Sequence, residues 1–179
     1  PIANLVTDGE QKVVALFGVY DNVDPAGDGN NLTNYMAIVA SGAYTVDWGD
    51  GTVTNHASGA QAEHTYSYAT IPASTYSVLG YRQAIITITP QAGQNLTSFY
   101  FGKKHSAMLY SYYTVPILDC HISGTNIQTF RFGEFAICKV MQHCKAYQIT
   151  AACTSLYATF YNCYSLQTLD VSSWNVSNV

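Results

Sequence analysis

Charge is what this chain has least of. Only 10% of its 179 residues are Asp, Glu, Lys or Arg, against roughly a quarter in ordinary soluble domains. Seven basic residues against eleven acidic ones leave a net charge of −4. That excludes the basic footprint a phosphate backbone requires, so nucleic acid is not an expected partner. No apolar run approaches the roughly 18 residues of a membrane span, and no signal peptide is visible, so membrane insertion is not expected. Cysteine is missing from the first half. The five present, Cys120, Cys138, Cys144, Cys153 and Cys163, include no Cys-x-x-Cys pair, and an odd number cannot pair completely within the chain. Buried free thiols are expected rather than disulfides. A phosphate-binding glycine loop and any helical period are also absent.

What remains is 48% apolar, with 15 tyrosines, so the polar surface must come from Ser, Thr, Asn, Gln and Tyr. That suits an extracellular or virion-surface β protein better than a cytosolic enzyme. Residues 1–11 show no periodicity and read as an arm or linker. Lys12 to Tyr20 is almost continuously apolar and predicts a strand buried on both faces. Asp21 to Asn31 is a loop; Asp21, Asp24 and Asp28 offer oxygen ligands, but their spacing matches no EF-hand, so a solvated turn is expected instead of a calcium site. Asn34 to Ala40 predicts a second strand. Tyr44-Thr-Val46-Asp-Trp48 alternates apolar and polar positions, then enters a Gly49-Asp50-Gly51 turn and returns at Thr52-Val53. Asn55 to Ala62 reads as loop, Glu63 to Tyr68 as alternating strand, and Tyr81 to Pro90 as a strand ended by proline. Short strands separated by turn signals argue a β-sandwich.

Val46-Asp-Trp-Gly-Asp-Gly51, His64-Thr-Tyr66 and the Ile-Thr-Ile-Thr89 strand together resemble the polycystic-kidney-disease (PKD) domain. The resemblance implies an immunoglobulin-like sandwich over residues 12–91, acting as an extracellular spacer or binding module. Asp47-Trp48 departs from the family's more usual Asp-Phe, and Ala69 to Leu79 is a long insertion.

Residues 92–179 follow another pattern. Asn95-Leu-Thr-Ser-Phe-Tyr-Phe-Gly102 recurs 31 positions later as Asn126-Ile-Gln-Thr-Phe-Arg-Phe-Gly133, with a looser copy at Ser165 to Ser172. Val115 to Gly124 offers another strand. Such spacing predicts a solenoid in which each unit buries its face against the next. Phe160-Tyr-Asn-Cys163-Tyr-Ser-Leu-Gln-Thr-Leu-Asp-Val-Ser-Ser-Trp-Asn-Val-Ser-Asn-Val179 resembles the BspA-like leucine-rich repeat, which implies an inward-packed Cys163. The array ends mid-repeat, so a longer parent protein is expected. The expected fold is mainly β: an immunoglobulin-like β-sandwich followed by a short leucine-rich-repeat-like β solenoid.

Candidate chemistry is sparse. Cys120, His121, Cys138, His143 and Cys144 invite a metal reading, but neighbours in a strand point to opposite faces, so no metal or other cofactor is expected. Asp47 and Asp50 read as turn-shaping carboxylates and His64 as a packed histidine, not as acid and base. No catalytic residue is expected and the chain is read as non-enzymatic. The Asn-x-Ser/Thr triplets at Asn31, Asn95 and Asn175 match a glycosylation pattern that arises by chance in such a composition. Tyrosine carries the functional signal, because it gives large amphipathic contact area with few torsions to freeze. Tyr110, Tyr112, Tyr113, Tyr157, Tyr161 and Tyr164 are the candidate partner-binding residues, with filling of the repeat core as the alternative use. The tandem resembles bacteriophage structural proteins of the tail-fibre type. This implies a surface-exposed virion module touching other virion proteins, a host glycan or a host protein, with homo-oligomer assembly as a further expectation. The alternative is a bacterial cell-surface adhesin.

Overall fold

The strand Lys12–Val19 (β1) is apolar from Val13 onward, where both its faces are covered. Val13, Ala15, Phe17 and Val19 enter the main core, while Val14 and Leu16 lie under Ile2 and Val6 of the N-terminal arm. The arm, featureless in its periodicity, therefore packs as a lid over the outer side of the sheet. The computed structural model describes residues 2–21, 23, 32–109 and 112–179. Asp24, Asp28 and Asn31 lie outside them, as does Tyr110.

Among the described residues twelve strands follow β1: β2 (Tyr35–Ser41), β3 (Tyr44–Asp47), β4 (Val53–His56), β5 (Gln61–Thr65), β6 (Arg82–Pro90), β7 (Ser98–Tyr100), β8 (Tyr113–Thr114), β9 (Ile117–Ser123), β10 (Thr129–Arg131), β11 (Ala136–Ile137), β12 (His143–Tyr147) and β13 (Thr168–Asp170). A 3₁₀ turn at Ala73–Thr75 is the only helical element among the described residues. The protein is mainly β, and its described strands form three sheets, none of them closed into a barrel. The largest has the order β13-β12-β9-β1-β6-β3-β4, the second β10-β7-β2-β5, and β11 pairs with β8 alone. Pairing is antiparallel from β4 through β9 and parallel from β9 through β12 to β13. In the second sheet β5, β2 and β7 are antiparallel and β10 joins in parallel.

The inward faces of the two large sheets share one core. Phe17 of β1 stacks on Tyr66, just past β5, at 4.6 Å between ring centroids. The Tyr44 hydroxyl of β3 donates to the Ala60 carbonyl oxygen at 2.5 Å. Position 91/92 falls in the β6–β7 connection, and both sheets and the core extend across it, since β9 pairs with β1 and β7 with β2.

The 31-residue repeat is a physical pairing: Ser98, Phe99 and Tyr100 lie beside Thr129, Phe130 and Arg131 in parallel register. Its aromatic positions stack across the ladder, Phe99 on Phe130 at 5.3 Å and Phe101 on Phe132 at 5.7 Å. Phe160 extends the second stack, 5.5 Å from Phe132. The loose third copy behaves differently. It forms β13 in the large sheet, beside β12, a strand whose mixed His-Cys-Lys-Ala-Tyr sequence carries little strand signal. The segment expected to be loop at Asn55 to Ala62 is shorter than that, because β4 runs through His56 and β5 begins at Gln61. Asn55 is held in the hairpin by the Thr45 hydroxyl, 2.6 Å from its Oδ1.

Candidate functional site

The acidic turn after β3 is built for structure. Asp47 Oδ1 accepts from the Gly49 N–H at 2.9 Å, and Asp50 Oδ1 from the Thr52 N–H at 3.0 Å. The other Asp50 oxygen, Oδ2, lies 2.6 Å from His64 Nε2. The His64 ring stacks on Trp48 at 4.8 Å and meets the Tyr66 ring edge-on at 4.6 Å, and the Tyr66 hydroxyl donates to the Trp48 carbonyl at 2.7 Å. Burial works against the Asp50 carboxylate, but the Thr52 N–H and the His64 ring outweigh it and hold its pKa below the ordinary value. Asp47, Asp50 and Tyr66 thus brace the turn and its neighbours, and the Trp48 indole N–H donates to the Thr54 hydroxyl of β4 at 2.9 Å.

The thiols are equally occupied with packing. All five cysteines are free. Cys120 and Cys144 are direct neighbours on β9 and β12 and face the core. His121 points to the opposite side of β9, towards Asp119 at 3.4 Å. Burial pushes the Cys120 and Cys138 thiols well up, Cys144 likewise, and Cys163 to about 12. A thiol so raised carries almost no thiolate, the reactive form, near neutral pH. Among the described residues no group of three or more His, Cys, Asp or Glu side chains converges to hold a metal. No helix among them is long and apolar enough to cross a membrane.

The tyrosines divide sharply. Tyr113 is fully buried: its hydroxyl donates to the Lys103 carbonyl at 2.7 Å and accepts from the His105 N–H at 3.0 Å. It belongs to the core and leaves the partner-binding set. Exposure ends at Tyr112: the chain is buried continuously from Tyr113 to Ile117. Tyr112, Tyr157 and Tyr161 are 56%, 72% and 55% exposed, and they come together. With Arg131, Gly133, Glu134 and Ala158 they line one open pocket of about 310 Å³. Tyr164 is also exposed, with its hydroxyl 2.5 Å from Asn162 Oδ1, but does not line the pocket.

The pocket is shaped by tight backbone packing. A Cβ on Gly133 would sit 2.3 Å from the Tyr161 carbonyl oxygen, so glycine is required for that segment to close against β10. Ala158 holds φ at +54°, a left-handed conformation that costs a non-glycine residue about 1–2 kcal/mol. Among the described residues, Arg131 is the one basic residue that lines the pocket. Its guanidinium sits over the Tyr157 ring at 5.1 Å and the Tyr100 ring at 5.6 Å. Its buried Nε has no hydrogen-bond partner. Glu134 is paired with Lys103 at 3.3 Å.

Compared with protein-family models, curated proteins and solved structures, the chain matches none. Its site must be read from its own residues. Arg131 is the member that sequence reasoning missed. A lone charge in a short strand reads as a solvated position, but its counterpart one repeat earlier is Tyr100, and a charge in place of a ring between two retained Phe positions was the available signal.

Proposed function

We propose that the chain is a non-enzymatic structural and adhesion module of a bacteriophage virion, exposed on the particle surface. In this reading residues 12–91 form a PKD-like, immunoglobulin-like sandwich that acts as spacer or docking unit. Residues 92–179 form a leucine-rich-repeat-like solenoid that presents tyrosines to a partner. The observation that carries the recognition part is the convergence of Tyr112, Tyr157 and Tyr161 around Arg131. Large exposed rings grouped on one pocket are costly to leave in water and mark interaction surfaces. The virion assignment rests on the motif resemblance and on the low-charge, Tyr-rich composition. The partners it implies are other virion proteins, a host-surface glycan or a host protein, with nucleic acid disfavoured by the excess of acidic residues.

The parallel ladders support the repeat half of the reading: Asp119, His143 and Thr168 follow one another across β9, β12 and β13, and Phe99 and Phe130 across β7 and β10. Mass spectrometry of purified phage particles from the source tests the assignment. The chain's peptides in particles at stoichiometric level support it; their presence only in the envelope of uninfected cells supports a bacterial surface adhesin instead.

A further inference from the structure

Three features of the Tyr112–Tyr157–Tyr161 pocket go beyond general stickiness. The first is charge. Among the described residues Arg131 makes no ion pair, whereas the other charged side chain lining the pocket, Glu134, is neutralised by Lys103. The pocket therefore carries one unmatched positive charge in a protein of net charge −4. The second is orientation. Contacts with the Tyr100 and Tyr157 rings hold the guanidinium in place, so less freedom is lost when it binds a planar anion through two parallel N–H bonds. The third is the rim, whose three exposed rings offer aromatic surface to the C–H groups of a ligand. A volume of about 310 Å³ is at the lower end of small-molecule sites and suits one or two sugar rings.

We propose that this pocket binds a carboxylate-bearing sugar of a glycan, the carboxylate on Arg131 and the C–H face of the sugar on Tyr157. Inorganic phosphate satisfies the guanidinium but leaves the tyrosine rim wet. A neutral sugar covers the rim but leaves the guanidinium unmatched. An acidic sugar meets both. The inference rests on the recognition reading above and narrows it to one ligand class.

The test is a glycan array carrying uronic-acid- and sialic-acid-containing glycans beside their neutral and methyl-esterified counterparts, probed with the full chain. Calorimetric titration of the strongest hit, of inorganic phosphate and of a triglutamate peptide follows. Expected is binding of acidic glycans, weakened about tenfold or more by methyl esterification and by Arg131→Gln, with Arg131→Lys intermediate. The esterified ligands keep the test independent of how any variant folds. Equal binding of acidic and neutral glycans, no glycan binding, or tighter binding of phosphate or the peptide overturns the inference. Neutral-glycan binding that Tyr157→Ala removes and Arg131→Gln leaves intact overturns it while the recognition reading stands. Conversion of an array glycan to product, read by mass spectrometry, overturns the non-enzymatic reading itself.

Discussion

Asp50 and His64, fourteen residues apart, meet at 2.6 Å, with the His64 ring stacked on Trp48, and tie the β3–β4 turn to β5. Both side chains are largely buried, so removing one leaves the other without its partner. Asp50→Ala and His64→Ala should each destabilise the fold by about 2 kcal/mol, with the double variant costing clearly less than the sum. Denaturant titration of the four species checks this. Strict additivity would contradict the coupling.

The same turn predicts a contrast between its two glycines. Both have positive φ, +76° at Gly49 and +93° at Gly51. A Cβ on Gly49 would lie 2.4 Å from the Ile85 carbonyl oxygen, whereas one on Gly51 meets nothing within 4 Å. Gly51→Ala should therefore cost only the left-handed penalty of about 1–2 kcal/mol. Gly49→Ala must also push the turn off β6 and should cost several times as much, which thermal melts of the two variants will rank.

Acid should weaken the protein in two stages. Burial holds His56 and His105 below their ordinary pKa of 6.5, with Glu63 partly opposing this at His105. Burial alone would raise Asp50 and Glu63. Hydrogen bonds from Thr52 and His64 to Asp50, and from Ser106 and Gln61 to Glu63, hold them below 3.8 and 4.5 instead. For all four groups the unfolded chain takes up its proton at higher pH than the folded chain. Their contribution is thus complete above 6.5 and is lost on acidification, first by the histidines and then by the carboxylates. Melting midpoints at about pH 7.5, 5.5 and 3.5 should descend in that order. A rise between the first two would contradict the histidine environments.

Thiol accessibility gives a further check. Cys120, Cys138 and Cys144 are buried with raised pKa, so a thiol-reactive dye at neutral pH should leave them unlabelled in the native protein. All five cysteines should react once the chain is unfolded. Fewer than five in denaturant without reductant would reveal a disulfide.

Much of the scaffold was legible because its signals are local. The unbroken apolar run of β1 announced two covered faces, and the alternation of Tyr44, Val46 and Trp48 announced a half-buried strand. The repeat offset announced the β7–β10 ladder. What was illegible depends on distant partners. Nothing near Ile117 says that β9 will extend the sheet of β1, a pairing that spans about a hundred residues, and β12 is a strand only because β9 and β13 flank it. The site was legible in part for the same reason. Tyrosine density pointed to Tyr112, Tyr157 and Tyr161, but only the fold brings them to Arg131. Tyr113 was grouped with Tyr112 on tyrosine density alone, and only its burial with the rest of 113–117 separates the two.

Core and rim tyrosines should accordingly respond in opposite ways. Tyr113→Phe leaves the Lys103 carbonyl and the His105 N–H without their buried partner and should cost about 1–3 kcal/mol. Tyr157→Ala and Tyr161→Ala remove exposed rings and should change stability by no more than about 0.5 kcal/mol each.

The most direct measurement is binding of the wild-type chain and of the Tyr157→Ala/Tyr161→Ala double variant to the same glycan array, with a thermal melt of each. A recognition pocket on a rigid β scaffold predicts that the double variant loses binding about tenfold or more while its melting midpoint stays at the wild-type value. Wild-type binding that survives loss of both rings would contradict it.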